Sequence, residues 1–312
     1  MGVYGNSIWD DLKYQLRHGD TTIQLIFANL GVFLLVHIIG VIGFFIGGLP
    51  NWTVFTDAVL EWLVLPTALM PLLSKPWAII THMFTHVGLF HILINMLWLY
   101  WFGQILSSFI GHKKILPVYF FGGFGGALFM LLLLNVIPAL NQYTGTALGA
   151  SAGVMAVVLA AATLTPTFSV RLILFGNVQL KYIALVAIVF DFISIPMGNT
   201  GGHIAHLGGA LMGYLYIKQT QAGNDWSIPF YKVWDGIAKI IKSIVEAFSF
   251  KKKPKVAYKN TGSIKTPPPP KQKQAEDNQK KIDAILDKIS SSGYDSLSKE
   301  EKEFLFRSSH DS

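Results

Sequence analysis

No cysteine occurs among the 312 residues, which excludes a disulfide framework, a thiolate nucleophile and any cysteine-ligated metal site. Charge is scarce as well. Charged side chains make up 14 % of the chain and apolar ones 52 %, a balance too apolar for a water-soluble globular protein of this length. Apolar runs of about 17 to 25 residues, long enough to cross a bilayer as helix, recur at 22–47, 88–110, 115–138, 146–165, 180–197 and 201–218. The composition therefore predicts an all-α, polytopic membrane protein built as a six-helix bundle. The first run is too long for the apolar region of a signal peptide and lacks a small-residue cleavage site after it, so a retained helix is predicted.

The net charge of +7 comes mostly from lysines after residue 221. A basic juxtamembrane tail suits an anionic cytoplasmic leaflet, and a nucleic-acid role is not predicted. Lys13, Arg17, Lys113, Lys114, Arg171, Lys181 and Lys218 all fall on one side of the six segments, and Lys75 falls opposite. The positive-inside rule makes both termini cytoplasmic and the long 48–81 loop extracytoplasmic. Trp52, Trp62 and Trp77 in that loop predict aromatic anchoring in the membrane interface rather than free extension into water.

The organisation that follows is a cytoplasmic segment 1–21, a membrane domain 22–220, an amphipathic interfacial helix within 221–250, a basic proline-rich linker 251–274 and a short helical appendage 275–312. Val233, Trp234, Ile237, Ile240, Ile241, Ile244 and Phe248 recur at three- and four-residue steps, with Lys232, Asp235, Lys239, Lys242 and Glu246 opposite them. That pattern describes a helix lying on the cytoplasmic leaflet. The linker predicts extended, disordered chain. The appendage reads as two short helices, the second opening on a Ser298/Glu301 capping box, with apolar faces too small for an independent core.

Polar side chains inside membrane segments are costly and mark function. Counting inward from Thr146, Ser151 lies about five residues, or roughly 8 Å, into segment four, and His206 lies at a similar depth below Gly201. His91 and Asn95 stand about 5 and 10 Å below Gly88 on one face of segment two. A hydroxyl, an imidazole and further donors thus share one layer beneath the outer surface, the combination required of a nucleophile, a general base and an oxyanion stabiliser. His206, Gly209 and Gly213 share a face that can approach segment four closely, which makes His206 the first candidate base and His203, one turn outward, the runner-up. Gly149 and Gly153 read as the matching small residues on segment four. Asp191, Asp57 and Glu61 are not placed at this depth, so a Ser-His dyad without a third member is predicted.

Metal chemistry is the competing reading. His82 and His86 have the i, i+4 spacing of a zinc pair, but no His-Glu-x-x-His arrangement accompanies them and no carboxylate stands ready as base. Neither a metal site nor a cofactor is predicted, and both histidines are assigned to hydrogen bonds that hold the loop entering segment two.

Three motifs in order, "HMFTHVGLFHILINMLWLYWFG" with His91 and Asn95, "GAS" at 149–151, and "AHLGGALMG" at 205–213, resemble the signature of the rhomboid family of intramembrane serine proteases, over about residues 22–220. The resemblance implies Ser151 as nucleophile, His206 as base, an oxyanion held by His91, Asn95 and the Ser151 backbone amide, and Gly149 as room beside the nucleophile. It implies transmembrane protein substrates cut near the outer membrane boundary, with helix five and the loop near Met197 as moving parts. Two positions depart from the family pattern: Ala152 follows the serine where glycine is usual, and Ala78 follows Trp77 where arginine is usual. The appendage resembles one found on rhomboids of Bacteroidota, which implies a bacterial inner membrane. The alternatives are a catalytically silent, rhomboid-like membrane-protein binding or quality-control factor, and a small-solute transporter. A transporter requires a polar path to the cytoplasmic side, and the inner halves of these segments carry none.

Overall fold

The computed structural model describes residues 20–143, 145–172, 176–248 and 270–310. They form two units, Met1–Phe248 and Ser249–Ser312. The predicted segment 1–21 and linker 251–274 lie largely outside the described residues.

Every predicted apolar segment contains a helix: α1 (Thr21–Gly47), α5 (Leu89–Ile110), α6 (Ile115–Val136), α7 (Ser151–Leu164), α8 (Leu180–Ser194) and α9 (Thr200–Gln221). Among the described residues, four stretches, Thr21–Gly47, Leu89–Ile110, His112–Val136 and Leu180–Met197, are long and apolar enough to cross a membrane. The chain is a mostly helical, multi-pass membrane protein. α7 is only 14 residues long. Its residues from Ala152 to Ala162 are buried without interruption, the expected property of a helix that is apolar all round and central to a bundle.

Glycine sets the distance between α7 and α9. A Cβ on Gly209 would overlap the Ala152 carbonyl, and one on Gly213 would overlap the Ala156 carbonyl. Two helix backbones therefore touch over a full turn, as small residues permit in lipid.

The loop between α1 and α5 is largely helical. It folds into α2 (Leu49–Leu63), α3 (Leu69–Ser74), α4 (Ala78–Thr81) and a 3-10 turn at His82–Phe84. Gly48, at φ 74°, breaks α1 from α2, a backbone conformation that glycine adopts without a Cβ penalty. Trp62 and Trp77 stack with centroids 5.8 Å apart, and Trp77 Nε1 donates to the Trp62 carbonyl at 2.9 Å, while Trp52 lies against His37 of α1. Lys75 lies 5.2 Å from the Trp62 ring centre and pairs with Glu61 at 2.8 Å. A cation on this loop thus engages a tryptophan although Ala78 occupies the family's arginine position.

Two short ladders complete the unit. β1 (Leu65–Pro66) pairs antiparallel with β2 (Thr146–Ala147). β3 (Ser169–Leu172) and β4 (Gly176–Gln179) form a hairpin between α7 and α8, where only a connection was predicted. α10 (Ser227–Phe248) falls where the amphipathic helix was expected. Just ahead of it Asp225 pairs with Lys114 at 2.8 Å, while Phe230 and Trp234 contact the Phe120 ring of α6.

Among the described residues, the second unit comprises α11 (Pro270–Ser292), a 3-10 turn and α12 (Lys299–His310). α11 starts inside the predicted linker. The capping box is present and reciprocal: Glu301 Oε2 accepts from Ser298 N at 2.7 Å and Ser298 Oγ accepts from Glu301 N at 3.2 Å.

Candidate active site

Ser151 is the first residue of α7, not the fifth residue of a longer helix. Residues Thr146 and Ala147 belong to β2, and Gly149 takes φ 121°, a value that side chains with a Cβ rarely adopt. This turn brings the serine to a helix N-terminus. The backbone N–H groups of the first turn, Ser151 included, have no partners within the helix and lie at its positive end.

The turn is held by the loop before α5. Gly149 N donates to the His82 carbonyl at 2.9 Å, and Ala150 N donates to Nε2 of His86 at 3.2 Å. His82 in turn bonds the Ala78 carbonyl through Nδ1 at 2.8 Å. The two histidines do hold the loop, and they hold the serine's own turn with it. Burial pushes both imidazoles down to about 4, assisted at His86 by nearby His91. A neutral His86 with a free Nε2 lone pair is what the Ala150 amide requires.

His206 Nε2 lies 2.7 Å from Ser151 Oγ, so the two residues singled out from sequence meet. The absence of a third member does not hold. Asp191 Oδ1 accepts from Nδ1 of His206 at 2.8 Å and from Nδ1 of His203 at 2.8 Å. A 3-10 turn, Ile195–Met197, prolongs α8 outward. Asp191 therefore stands six residues before Met197, as His206 stands six residues after Thr200, and both lie about 9 Å in at the usual helical rise. With Nδ1–H committed to the carboxylate, the lone pair of His206 Nε2 faces the serine hydroxyl. His203, the runner-up base, shares the carboxylate instead.

His91 and Asn95 border the serine differently. A Cβ on Gly149 would sit 3.0 Å from His91 Nε2 and 3.6 Å from Ser151 Oγ, so the imidazole edge and the hydroxyl flank the same glycine. Asn95 lines the same cleft as Ser151 and His206. Its Nδ2 donates to the His91 carbonyl at 3.0 Å and lies 3.4 Å from His86 Nε2.

The packing assignments need correction in part. Gly209 and Gly213 lie against α7 as described, but Gly153 faces the Tyr119 ring of α6, and Gly149 lies outside any helix. The extra methyl of Ala152 is directed at α6, where it fills the space left by Gly126.

A cleft of about 720 Å³ runs from Ser151, Asp191 and His206 down to Leu172 and Val178 of the hairpin. Its walls are α5, through Ile94 and Trp98, and α8, through Tyr182, Val186 and Phe190. The α8 side chains are more than half exposed, so the cleft is apolar and opens sideways between these two helices.

Residues 73–220 match the rhomboid domain, and residues 272–311 match a family of unknown function. RHOMBOID-like protein 12, mitochondrial, of Arabidopsis thaliana is 27 % identical over 227 residues, 69 % of this chain and 63 % of that protein. Presenilin-associated rhomboid-like protein A, mitochondrial, of Danio rerio is 31 % identical over 137 residues, 43 % and 35 % of the two chains. Rhomboid protein 1, mitochondrial, of Saccharomyces cerevisiae is 30 % identical over 142 residues, 45 % and 40 %. The chain spans between 35 % and 63 % of the length of these relatives. With the match covering α5 to α9 and the three motifs meeting around one serine, residues 73–220 form a domain of the rhomboid family.

Proposed function

We propose that this chain is an intramembrane serine endopeptidase that cuts transmembrane protein substrates near the extracytoplasmic boundary. The observation that carries the reading is the 2.7 Å contact between Ser151 Oγ and His206 Nε2, with Nδ1 of the same imidazole tied to Asp191. His206 takes the hydroxyl proton as Ser151 attacks the scissile carbonyl, and the resulting imidazolium is stabilised by the Asp191 carboxylate. The tetrahedral oxyanion develops at the N-terminus of α7. The Ser151 N–H and the helix dipole act on it there, with His91 beside them. Asn95 joins once it gives up its longer contact to His86. His206 then returns the proton to the leaving amine, and a water molecule activated by the same imidazole hydrolyses the ester.

The apolar, sideways-opening cleft supports a lipid-embedded substrate. A helical segment entering between α5 and α8 exchanges lipid contacts for side chains such as Trp98 and Phe190, and only its unwound end reaches the polar layer. Lys113, Lys114, Lys181 and Lys218 lie toward the opposite end of the bundle from Ser151. The positive-inside rule turns that end to the cytoplasm of a bacterial inner membrane, and both termini with it.

The test is covalent labelling of the purified full chain by a fluorophosphonate, with Ser151→Ala and His206→Ala as controls. Labelling of the unaltered protein well above both variants is expected. A chain that binds membrane proteins without cutting them labels no faster than Ser151→Ala, and that result overturns the reading.

A further inference from the structure

We propose that Asp191, His203 and His206 form a binding site for a divalent transition-metal ion, Zn2+ fitting best, and that an ion bound there switches the serine off. The inhibitory half rests on reading Ser151 and His206 as nucleophile and base; the binding half does not.

The donor set comes from two adjoining helices. His203 and His206 stand one turn apart on α9, and Asp191 reaches them from α8. One ligand atom from each residue falls within 4.8 Å of the others. Both Nδ1 atoms already point at a single oxygen, at 2.8 Å each. Ligands held about 2.0 to 2.2 Å from a tetrahedral Zn2+ lie about 3.4 Å apart, so an ion replaces the two shared protons by opening each imidazole–carboxylate contact by about half an ångström and drawing together ligand atoms that now lie up to 4.8 Å apart. Two imidazoles and one carboxylate favour Zn2+ and its neighbours over Ca2+ or Mg2+, which take oxygen ligands. The fourth position is left to water. The site is reachable: the His203 and His206 side chains keep 16 % and 20 % of their exposure, and Asp191 keeps 7 %. In His82 and His86, whose spacing suggested a zinc pair, one ring nitrogen each is taken, Nδ1 by the Ala78 carbonyl and Nε2 by the Ala150 amide, and among the described residues they join no third ligand.

The consequence for catalysis is a matter of one proton. Neutral His206 carries a single N–H, now at Nδ1 and shared with Asp191. A metal ion needs the Nδ1 lone pair, so that proton moves to Nε2 by way of solvent and the ring stays neutral. Nε2–H has no lone pair for the Ser151 hydroxyl. The ion also takes the carboxylate that orients the ring. Binding and base catalysis therefore exclude each other at the same imidazole.

The experiment uses the full chain in lipid nanodiscs, carrying no histidine tag, and reads two signals. Co2+ is titrated into Ser151→Ala, and its visible absorption bands report coordination. Four-coordinate bands that saturate at one ion per chain are expected, with at least a tenfold weaker titration in Ser151→Ala combined with His203→Ala or with His203→Gln. Zn2+ is then titrated against fluorophosphonate labelling of the otherwise unaltered chain. Labelling should fall with Zn2+, recover with chelator, and need at least tenfold more Zn2+ in His203→Ala and His203→Gln, each normalised to its own metal-free rate. Helix content by circular dichroism certifies that each variant is folded. No Co2+ bands, or bands unchanged by both His203 substitutions, overturn the site. Bands without Zn2+ inhibition overturn the switch. If the metal-free chain does not label at all, the protease reading fails, while the Co2+ titration still decides the site.

Discussion

Asp191 Oδ1 lies 2.8 Å from Nδ1 of His206, joining α8 to α9 at the level of the serine. The carboxylate fixes which ring nitrogen carries the proton. Asp191→Asn preserves the shape but offers an N–H donor to Nδ1, which favours the wrong tautomer. Where this substitution has been calibrated in a serine triad, turnover falls about 10⁴-fold. A loss of at least 10²-fold in cleavage of a transmembrane substrate is expected here, with unchanged helix content. Turnover within a factor of two of the unaltered protein removes Asp191 from the mechanism.

His91 and Asn95 should separate in single-turnover kinetics. His91 flanks the glycine next to the serine, and His91→Ala is expected to slow acylation by about 10² to 10³-fold, the usual effect of losing one oxyanion donor. Asn95 spends its amide on the His91 carbonyl and on His86, so Asn95→Ala should combine a smaller kinetic loss with a lower unfolding temperature. Equal kinetic losses with no change in unfolding would contradict this division.

Substitution at the two α9 glycines tests the backbone contact. Alanine at Gly209 meets the Ala152 carbonyl, next to Ser151, whereas alanine at Gly213 meets the Ala156 carbonyl one turn deeper. Overpacking of this kind costs about 1 to 3 kcal/mol. Both variants should lose stability by that amount. Gly209→Ala should also lose labelling rate in the folded fraction, because it forces His206 away from Ser151.

Ala152→Gly, which restores the residue usual in the family, is expected to bring no gain in rate. The methyl faces Gly126 of α6 and lies outside the cleft lining. Its removal should instead lower stability by about 1 kcal/mol, the difference between alanine and glycine inside a helix, increased by the void left behind. A rate increase of tenfold would mean that the methyl crowds the oxyanion after all.

His82 and His86 give stability a pH dependence. Their folded-state values near 4 lie below the ordinary 6.5, so between these limits the unfolded chain binds protons that the folded chain refuses. Stability is therefore lost progressively as pH falls from 6.5 toward 4, and neither histidine contributes a slope above that window. Thermal unfolding followed across the range should show the drop, and His86→Gln should make it shallower.

The helices were legible because lipid imposes a length and an apolarity on them, and α1, α5 and α6 begin and end within two residues of the predicted runs. Ser151 and His206 were legible because polar groups at equal depth stand out in such runs. What escaped notice depends on chain direction and distant pairing. Asp191 stands six residues inside the outer end of the predicted 180–197 run, the depth of His206 below Thr200, and is legible only when the run is counted inward from that end. The start of α7 at Ser151 hinges on the positive φ of Gly149. The bond from His86 to Ala150 spans 64 residues, a separation at which periodicity carries no information. The β3–β4 hairpin did leave a signal, the alternation of polar and apolar residues through Ser169, Val170, Arg171 and Leu172, with Val178 facing Val170 in the partner strand.

The β1–β2 ladder has a consequence for assembly. Thr67 exchanges hydrogen bonds with Gly145 through its amide and its hydroxyl, and His82 and His86 take the next amides in line, at Gly149 and Ala150. The turn that carries Ser151 is thus cast against a mould made of chain synthesised some 60 to 80 residues earlier. Contacts of such long range close late in folding, since loop-closure entropy precedes their reward. On the proposed reading, reactivity at Ser151 accordingly depends on contacts that close late, once residues near 67 and 82–86 have met the turn before α7.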